Sequence, residues 1–260
     1  MSDKKLSISV ILLAFLMAFM EISGLPASLF VTIEAVDIDP TYFTLMINFV
    51  IAGMICFLWK IFINKAWRFG FQLKGLMHGL KKYGLPALVA TILVSAAFCI
   101  GLYPFDNSPT VYRVIIEGFV YYIGVAIIEE IYLRSLLQNL LEKWFGKQKN
   151  AALYAILIAS VLFGMGHIFG AAGQPIITVI CKVFWATALG IYLGAVYYRT
   201  RNIWVPIILH MVIDFCGVPF CFSTSNQYPE IALFACVIVY GLLGCYGILI
   251  VTKKDEGEVA

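Results

Sequence analysis

Long apolar blocks joined by short polar links run along most of the chain. An apolar stretch of about 20 residues is long enough to cross a bilayer as a helix. The pattern therefore predicts a polytopic, all-α bundle of about eight transmembrane spans. Their approximate bounds are 6–33, 41–62, 84–103, 111–145, 151–169, 176–198, 203–222 and 231–251.

The composition strengthens this assignment. Of the 260 residues, 62% are hydrophobic and 13% are charged, and the mean hydropathy is +0.93. Soluble domains are typically about half apolar and about a quarter charged. The lipid bilayer is thus the expected surrounding, and the plasma membrane is the expected location if the chain is bacterial. No basic stripe alternates with exposed aromatic residues, so we expect no nucleic acid partner.

The charges in the predicted loops indicate an orientation. Lys and Arg occur before the first span and after the second, fourth, sixth and eighth spans. The loops after the first, third and seventh spans carry only acidic charges. Because basic residues favour cytoplasmic loops, both termini are predicted to be cytoplasmic.

The chain is predicted to have three parts. Residues 1–110 hold the first spans and a basic, aromatic-rich segment, 60–82, that is typical of a helix lying in the membrane interface. Residues 111–222 form the core spans, and residues 223–260 hold the last span and a polar tail. Gly190 and Gly194 predict close approach of the sixth span to a neighbouring helix.

The fourth element carries Glu129, Glu130 and Arg134 within an apolar run. A charge near the bilayer centre costs about 2.5–3.5 kcal/mol on insertion scales, so such groups are usually paired or functional. On a helix, Glu130 and Arg134 share a face, whereas Glu129 is turned by about 100°. We expect a structural Glu130–Arg134 pair and a chemically free Glu129 that suits a general base. The alternative is that both glutamates only pair with basic groups between helices.

Two further spans carry histidines. Phe163 precedes His167 by four residues, and Asp214 follows His210 by four, so each pair shares a helix face. Each histidine could also be a hydrogen-bonded core residue. Asp214 could orient His210, bind a metal or hold a water molecule.

Carboxylates and imidazoles that converge inside a membrane can activate water. Glu129, His167 and His210 are also the residue types of a catalytic zinc site, so zinc is an open alternative to direct activation by Glu129. The sequence contains neither an H-E-x-x-H zinc motif nor a G-x-S-x-G serine motif.

The three motifs occur in the order Glu-Glu-x-x-x-Arg, Phe-x-x-x-His and His-x-x-x-Asp. This order resembles the CPBP family, which groups type II CAAX prenyl endopeptidases with bacteriocin-processing and bacteriocin-immunity proteins. The resemblance covers residues 111 to 219. It implies an intramembrane endopeptidase that acts on a membrane-associated peptide or protein.

The resemblance also implies roles for the residues of these motifs. Glu129 would activate water with help from His167, while His210 and Asp214 would stabilise the oxyanion or, with a metal, join His167 as ligands. Glu130 and Arg134 would hold the geometry. Eukaryotic prenyl-protease members tend to have Asn at the position of Asp214, which weakens the case for prenylated substrates.

Two other functions are compatible with the same residues. A bacteriocin-immunity or scaffold protein would keep the fold without turnover. A proton-coupled transporter would use buried Glu, His and Asp as a proton relay.

Overall fold

The structure is a computed structural model that describes residues 3–23, 50, 53–63, 65, 67–225 and 227–253. These residues form helices and contain no strand, which confirms the all-α class. The helices are α1 (Asp3–Ser23), α2 (Gly53–Phe62), α3 (Leu76–Leu102), α4 (Val111–Glu130), α5 (Asn139–Phe145), α6 (Ala151–Gly166), α7 (Ile176–Thr200), α8 (Trp204–Asp214) and α9 (Glu230–Thr252). A π-helical segment (Ile131–Gln138) joins α4 to α5, and 3₁₀ turns follow α6 (Phe169–Ala171) and α8 (Phe215–Phe222).

Within the described part of the chain, six helices are long and apolar enough to cross a membrane. The protein is therefore an integral multi-pass membrane protein. The predicted second span lies partly outside the described residues, and the charged fourth element is not among the six. The total of eight spans and the cytoplasmic termini stay predictions. The six are Lys4–Ser23, Leu76–Leu102, Ala151–Ala171, Ile176–Thr200, Trp204–Phe222 and Glu230–Thr252.

The prediction of one interfacial helix over 60–82 is wrong. Residues 67–72 have no regular structure, and α3 includes the last seven residues of the segment. Gly70 and Gly75 interrupt the helix because both have positive φ, 84° and 80°. The amide of Ile203 donates a hydrogen bond to the Gly70 carbonyl at 3.0 Å, which ties this strip to the start of α8.

The fourth element is one continuous helical rod over 111–145, as predicted, but its middle is π-helical. The amide of Asn139 bonds to the carbonyl of Arg134, five residues earlier. The carbonyl of Ser135 instead accepts hydrogen bonds from Trp67 Nε1 at 2.9 Å and Asn139 Nδ2 at 3.0 Å. Side chains that insert into the backbone ladder in this way are a known cause of local helix distortion.

Small residues let α7 approach its neighbours closely, as Gly190 and Gly194 predicted. A Cβ at Gly190 would lie 2.9 Å from the Cβ of Ser160 on α6, and one at Gly194 would lie 3.0 Å from Gln138 Oε1. A Cβ at Gly247 on α9 would lie 2.8 Å from the backbone of α7. These contacts pack α7 between α6 and α9. They fix the relative positions of the helices that carry the polar residues.

Candidate active site

Glu130 and Arg134 form the predicted pair at the centre of the bundle. Arg134 Nε lies 2.9 Å from Glu130 Oε2, and both side chains are fully buried. The second oxygen, Oε1, accepts a hydrogen bond from His210 Nδ1 at 3.0 Å. Glu130 therefore joins the arginine of its own rod to the histidine of α8.

This contact decides how His210 is held. With Nδ1 donating to Glu130, Nε2 points toward Glu129 Oε2 at 3.3 Å and Asp214 Oδ2 at 3.6 Å. The orienting role that the spacing offered to Asp214 thus belongs to Glu130. His210 is 3% exposed and sits among three acidic side chains.

Glu129 differs from its neighbour Glu130 as the helix geometry predicted. It is 7% exposed, and its Oε2 has no hydrogen-bond partner among the described residues, although His210 Nε2 lies close. A buried polar atom left in this state is costly, and such exceptions in native proteins call for a specific explanation. Oε2 of Glu129 therefore keeps an unused acceptor position within the described structure.

His167 joins the site through Phe163. The two rings meet edge to face with centroids 4.6 Å apart, and the other neighbour of Phe163 is His210, at 5.9 Å. His167 Nδ1 lies 3.0 Å from the Phe163 carbonyl. Because a carbonyl only accepts, Nδ1 carries the hydrogen, and Nε2 of the neutral ring is an acceptor.

Gly164 fixes the place of His167, because α6 crosses α7 at this residue. A Cβ there would collide with the side chain of Thr187 and lie 2.6 Å from the Val183 carbonyl oxygen.

We expect Gly164→Ala to force α6 and α7 apart at a cost of about 1–3 kcal/mol, a typical cost of overpacking. Thermal unfolding in detergent measures the loss. Gly166→Ala is the matched control, since a Cβ at Gly166 meets nothing within 4 Å; equal melting temperatures for the two variants would contradict the prediction.

A cavity of about 470 Å³ opens beside these residues, within the usual size range of ligand sites, roughly 300–1,000 Å³. Lys182 on α7 also faces it, and its Nζ donates to the Gly170 carbonyl at 3.3 Å. The lining is otherwise largely aromatic and aliphatic. The residues that matter here are His167, Lys182, His210, Asp214, Tyr121, Tyr122, Trp185 and Tyr228.

A metal centre at this site would need several His, Cys, Asp or Glu side chains around one point. In the described ranges, no three His, Cys, Asp or Glu side chains are grouped so that they could hold a metal ion. Glu129 lies beside His210, whereas His167 reaches the site through the Phe163 ring. The described residues therefore do not fit a zinc centre, and zinc stays a prediction.

The sequence analysis missed two ionisable residues near the site. Glu21 on α1 comes within hydrogen-bonding reach of the side chains of Glu129 and Tyr132. Lys182 lines the cavity. Both lie within apolar runs, so the rule that drew attention to Glu129 would have found them as well.

One comparison with known proteins gave a match. A family model described as type II CAAX prenyl endopeptidase Rce1-like matches residues 111–216. Searches of curated proteins and of solved structures gave no match. The segment 111–216, which holds all three motifs and the paired, buried groups around His210, is thus similar to the type II CAAX prenyl endopeptidases, a group within the CPBP family that the motifs resemble.

Proposed function

We propose that the protein is an intramembrane endopeptidase that hydrolyses peptide bonds in membrane-associated peptides or proteins. The observation that carries this proposal is Glu129, whose buried Oε2 is unbonded in the described structure and lies 3.3 Å from His210 Nε2. His210 lines the cavity, so this carboxyl group stands directly behind the cavity wall. The match to type II CAAX prenyl endopeptidases supports the reaction class.

In the proposed first step, Glu129 acts as the general base. A water proton passes to its carboxylate as the water oxygen forms a bond to the scissile carbonyl carbon, and the carbonyl electron pair moves onto oxygen. His167 Nε2, which is left as an acceptor by the Nδ1 bond to Phe163, can hold the second water hydrogen. The product of this step is a tetrahedral oxyanion.

His210 is placed to stabilise that oxyanion. Its ring is fixed by the Nδ1 bond to Glu130, and the imidazolium form, with a second proton on Nε2, could donate to the oxyanion from beside Glu129 and Asp214. In the second step the carbonyl bond re-forms, the C–N bond breaks, and the leaving nitrogen takes the proton from Glu129. Arg134 balances the charge of Glu130 and acts through it as a positioning residue.

Asp214 offers a test of the oxyanion assignment. Its Oδ2 lies 3.6 Å from His210 Nε2, and the side chain is 24% exposed toward the cavity. An amide at this position could donate a hydrogen bond to the oxyanion, so Asp214→Asn is expected to retain kcat within about threefold. Asp214→Leu removes the hydrogen bond that a protonated Asp214 carboxyl group would donate, and is expected to lose roughly 10²-fold in kcat, the scale of one lost oxyanion donor. A Leu variant as active as the Asn variant would remove Asp214 from the site.

Cleavage by purified protein tests the proposed function. The protein in nanodiscs is incubated with a quenched fluorescent peptide library, and products are identified by mass spectrometry. We expect cleavage in this assay. When the same protein is placed in proteoliposomes with a pH gradient, we expect no proton flux. Flux without cleavage would establish the transporter reading instead, and intact peptides without flux would favour a non-catalytic immunity protein or scaffold.

The same assay addresses the metal. Because no proposed step requires one, we expect a chelator to leave turnover unchanged. Loss of turnover on chelation, followed by recovery with added Zn²⁺, would overturn this mechanism in favour of the zinc prediction.

A further inference from the structure

Glu21 is an ionisable residue of α1 that lies outside the three motifs and outside the segment 111–216 matched by the family. The buried face of α1 includes Val10, Ala14 and Met17, which are spaced three or four residues apart. These residues pack in one cluster with the apolar residues of α4 and the π-helical segment. Glu21 follows Met17 by four residues and therefore continues the same face.

At this position the Glu21 side chain reaches the candidate base. There it comes within hydrogen-bonding reach of the side chains of Glu129 and Tyr132. Two carboxyl groups can hydrogen-bond only if one of them carries a proton, whereas the Tyr132 hydroxyl can donate its own hydrogen. The groups that surround Glu129 are thus Glu21 from α1, Tyr132 from the π-helical segment, Glu130 from its own rod, and His210 and Asp214 from α8.

Glu129 needs such support to be held in one place. Its Oε2 makes no hydrogen bond within the described residues, so the contact with His210 does not anchor it. A glutamate side chain has several freely rotating bonds, and a misplacement of about 1 Å at a reacting group can cost roughly 10²-fold in rate. The carboxyl of Glu21, braced by Tyr132, supplies a fixed partner.

We propose that Glu21 is a positioning residue of this enzyme, whose hydrogen bond to Glu129 holds the general base against His210. The inference rests on the proposed function. It assigns α1 a direct part in the site, beyond its packing against α4. Glu21 acts through Glu129 and does not itself touch the peptide.

Two substitutions of similar size separate this role from packing. Glu21→Gln keeps a side-chain N–H that can donate to Glu129, whereas Glu21→Met fills the same space without a donor. We expect the Met variant to lower kcat about 10–100-fold with KM unchanged. The kcat of the Gln variant should stay within about threefold of the wild-type value. Both variants should have melting temperatures within a few degrees of the wild-type protein. Ile22→Ala, on the 52% exposed neighbouring position of α1, controls for disturbance of the helix.

Glu129→Gln in the same cleavage assay separates the two proposals. If Glu129→Gln loses activity while Glu21→Met keeps the wild-type kcat, the positioning role is wrong and the endopeptidase mechanism stands. Equal losses of kcat in the Gln and Met variants of Glu21 would also overturn the positioning role, because a hydrogen-bond donor at position 21 would then make no difference. If the Glu129→Gln variant cleaves peptide at the wild-type rate, the endopeptidase mechanism with Glu129 as general base is wrong.

Discussion

Glu129→Gln is expected to lower peptide cleavage by about 10²–10⁴-fold, the usual contribution of a general base. The amide keeps the size of the side chain and can still bond to Glu21, but it does not accept a proton from water. His210, which lies beside Glu129, keeps its contacts with Glu130 and Asp214 in this variant, so the loss of the Glu129 charge leaves no buried cation unpaired. The variant should therefore accumulate in membranes and unfold at the wild-type temperature.

Glu230→Gln is the matched control for this substitution. Glu230 is the exposed first residue of α9, far in sequence from the three motifs, and its change from carboxylate to amide should leave turnover unchanged. Wild-type turnover by both variants would remove Glu129 from the chemistry. A large loss in both would show that the assay responds to surface charge and not to the site.

Arg134→Met is expected to lower the free energy of unfolding by about 3–5 kcal/mol, because it leaves the buried carboxylate of Glu130 without its cation. The double variant Glu130→Gln with Arg134→Met removes both charges and should recover a large part of this loss. Denaturant unfolding in detergent micelles, followed by tryptophan fluorescence and applied also to Glu130→Gln alone, gives the three differences from wild type needed for the coupling energy.

The surface pair of Arg201 and Glu142 provides the comparison. These side chains approach to 2.7 Å, but Arg201 is 47% exposed. Solvent screening reduces the value of such pairs to about 0–1 kcal/mol, so Glu142→Gln should change the unfolding free energy little. An Arg134→Met variant no less stable than Glu142→Gln would show that the central pair does not support the fold.

Features set by short sequence spacing could be predicted from the sequence. The i, i+4 relations of Glu130 with Arg134 and of Phe163 with His167 both appear as contacts, at 2.9 Å between charged atoms and 4.6 Å between ring centroids. The bounds of the last four spans were also predicted within two residues, when the 3₁₀ turns after α6 and α8 are counted with their helices. These features depend on the period of one helix, which is visible within a few turns of sequence.

Features that depend on contacts between distant segments were missed. The spacing of Asp214 and His210 suggested that they are partners, but Glu130, 80 residues earlier, holds the ring. Trp67 reaches the carbonyl of Ser135 across 68 residues, and residues 67–72 have no regular structure where a helix was predicted. Glu21 reaches Glu129 from α1. Such pairings arise only after the helices pack, so no local pattern reveals them.

The π-helical turn between α4 and α5 sets the rotational phase between the two ends of the rod. A π-helical turn holds about one residue more than an α-helical turn. If residues 131–138 closed into a regular α-helix with no change in chain length, α4 would turn by about 100° around its axis relative to α5, the rotation of one α-helical residue. Glu129 would then turn away from α8 while the apolar residues around it kept their hydrophobic character. Loss of the wider turn would thus inactivate the protein while its membrane spans stayed the same.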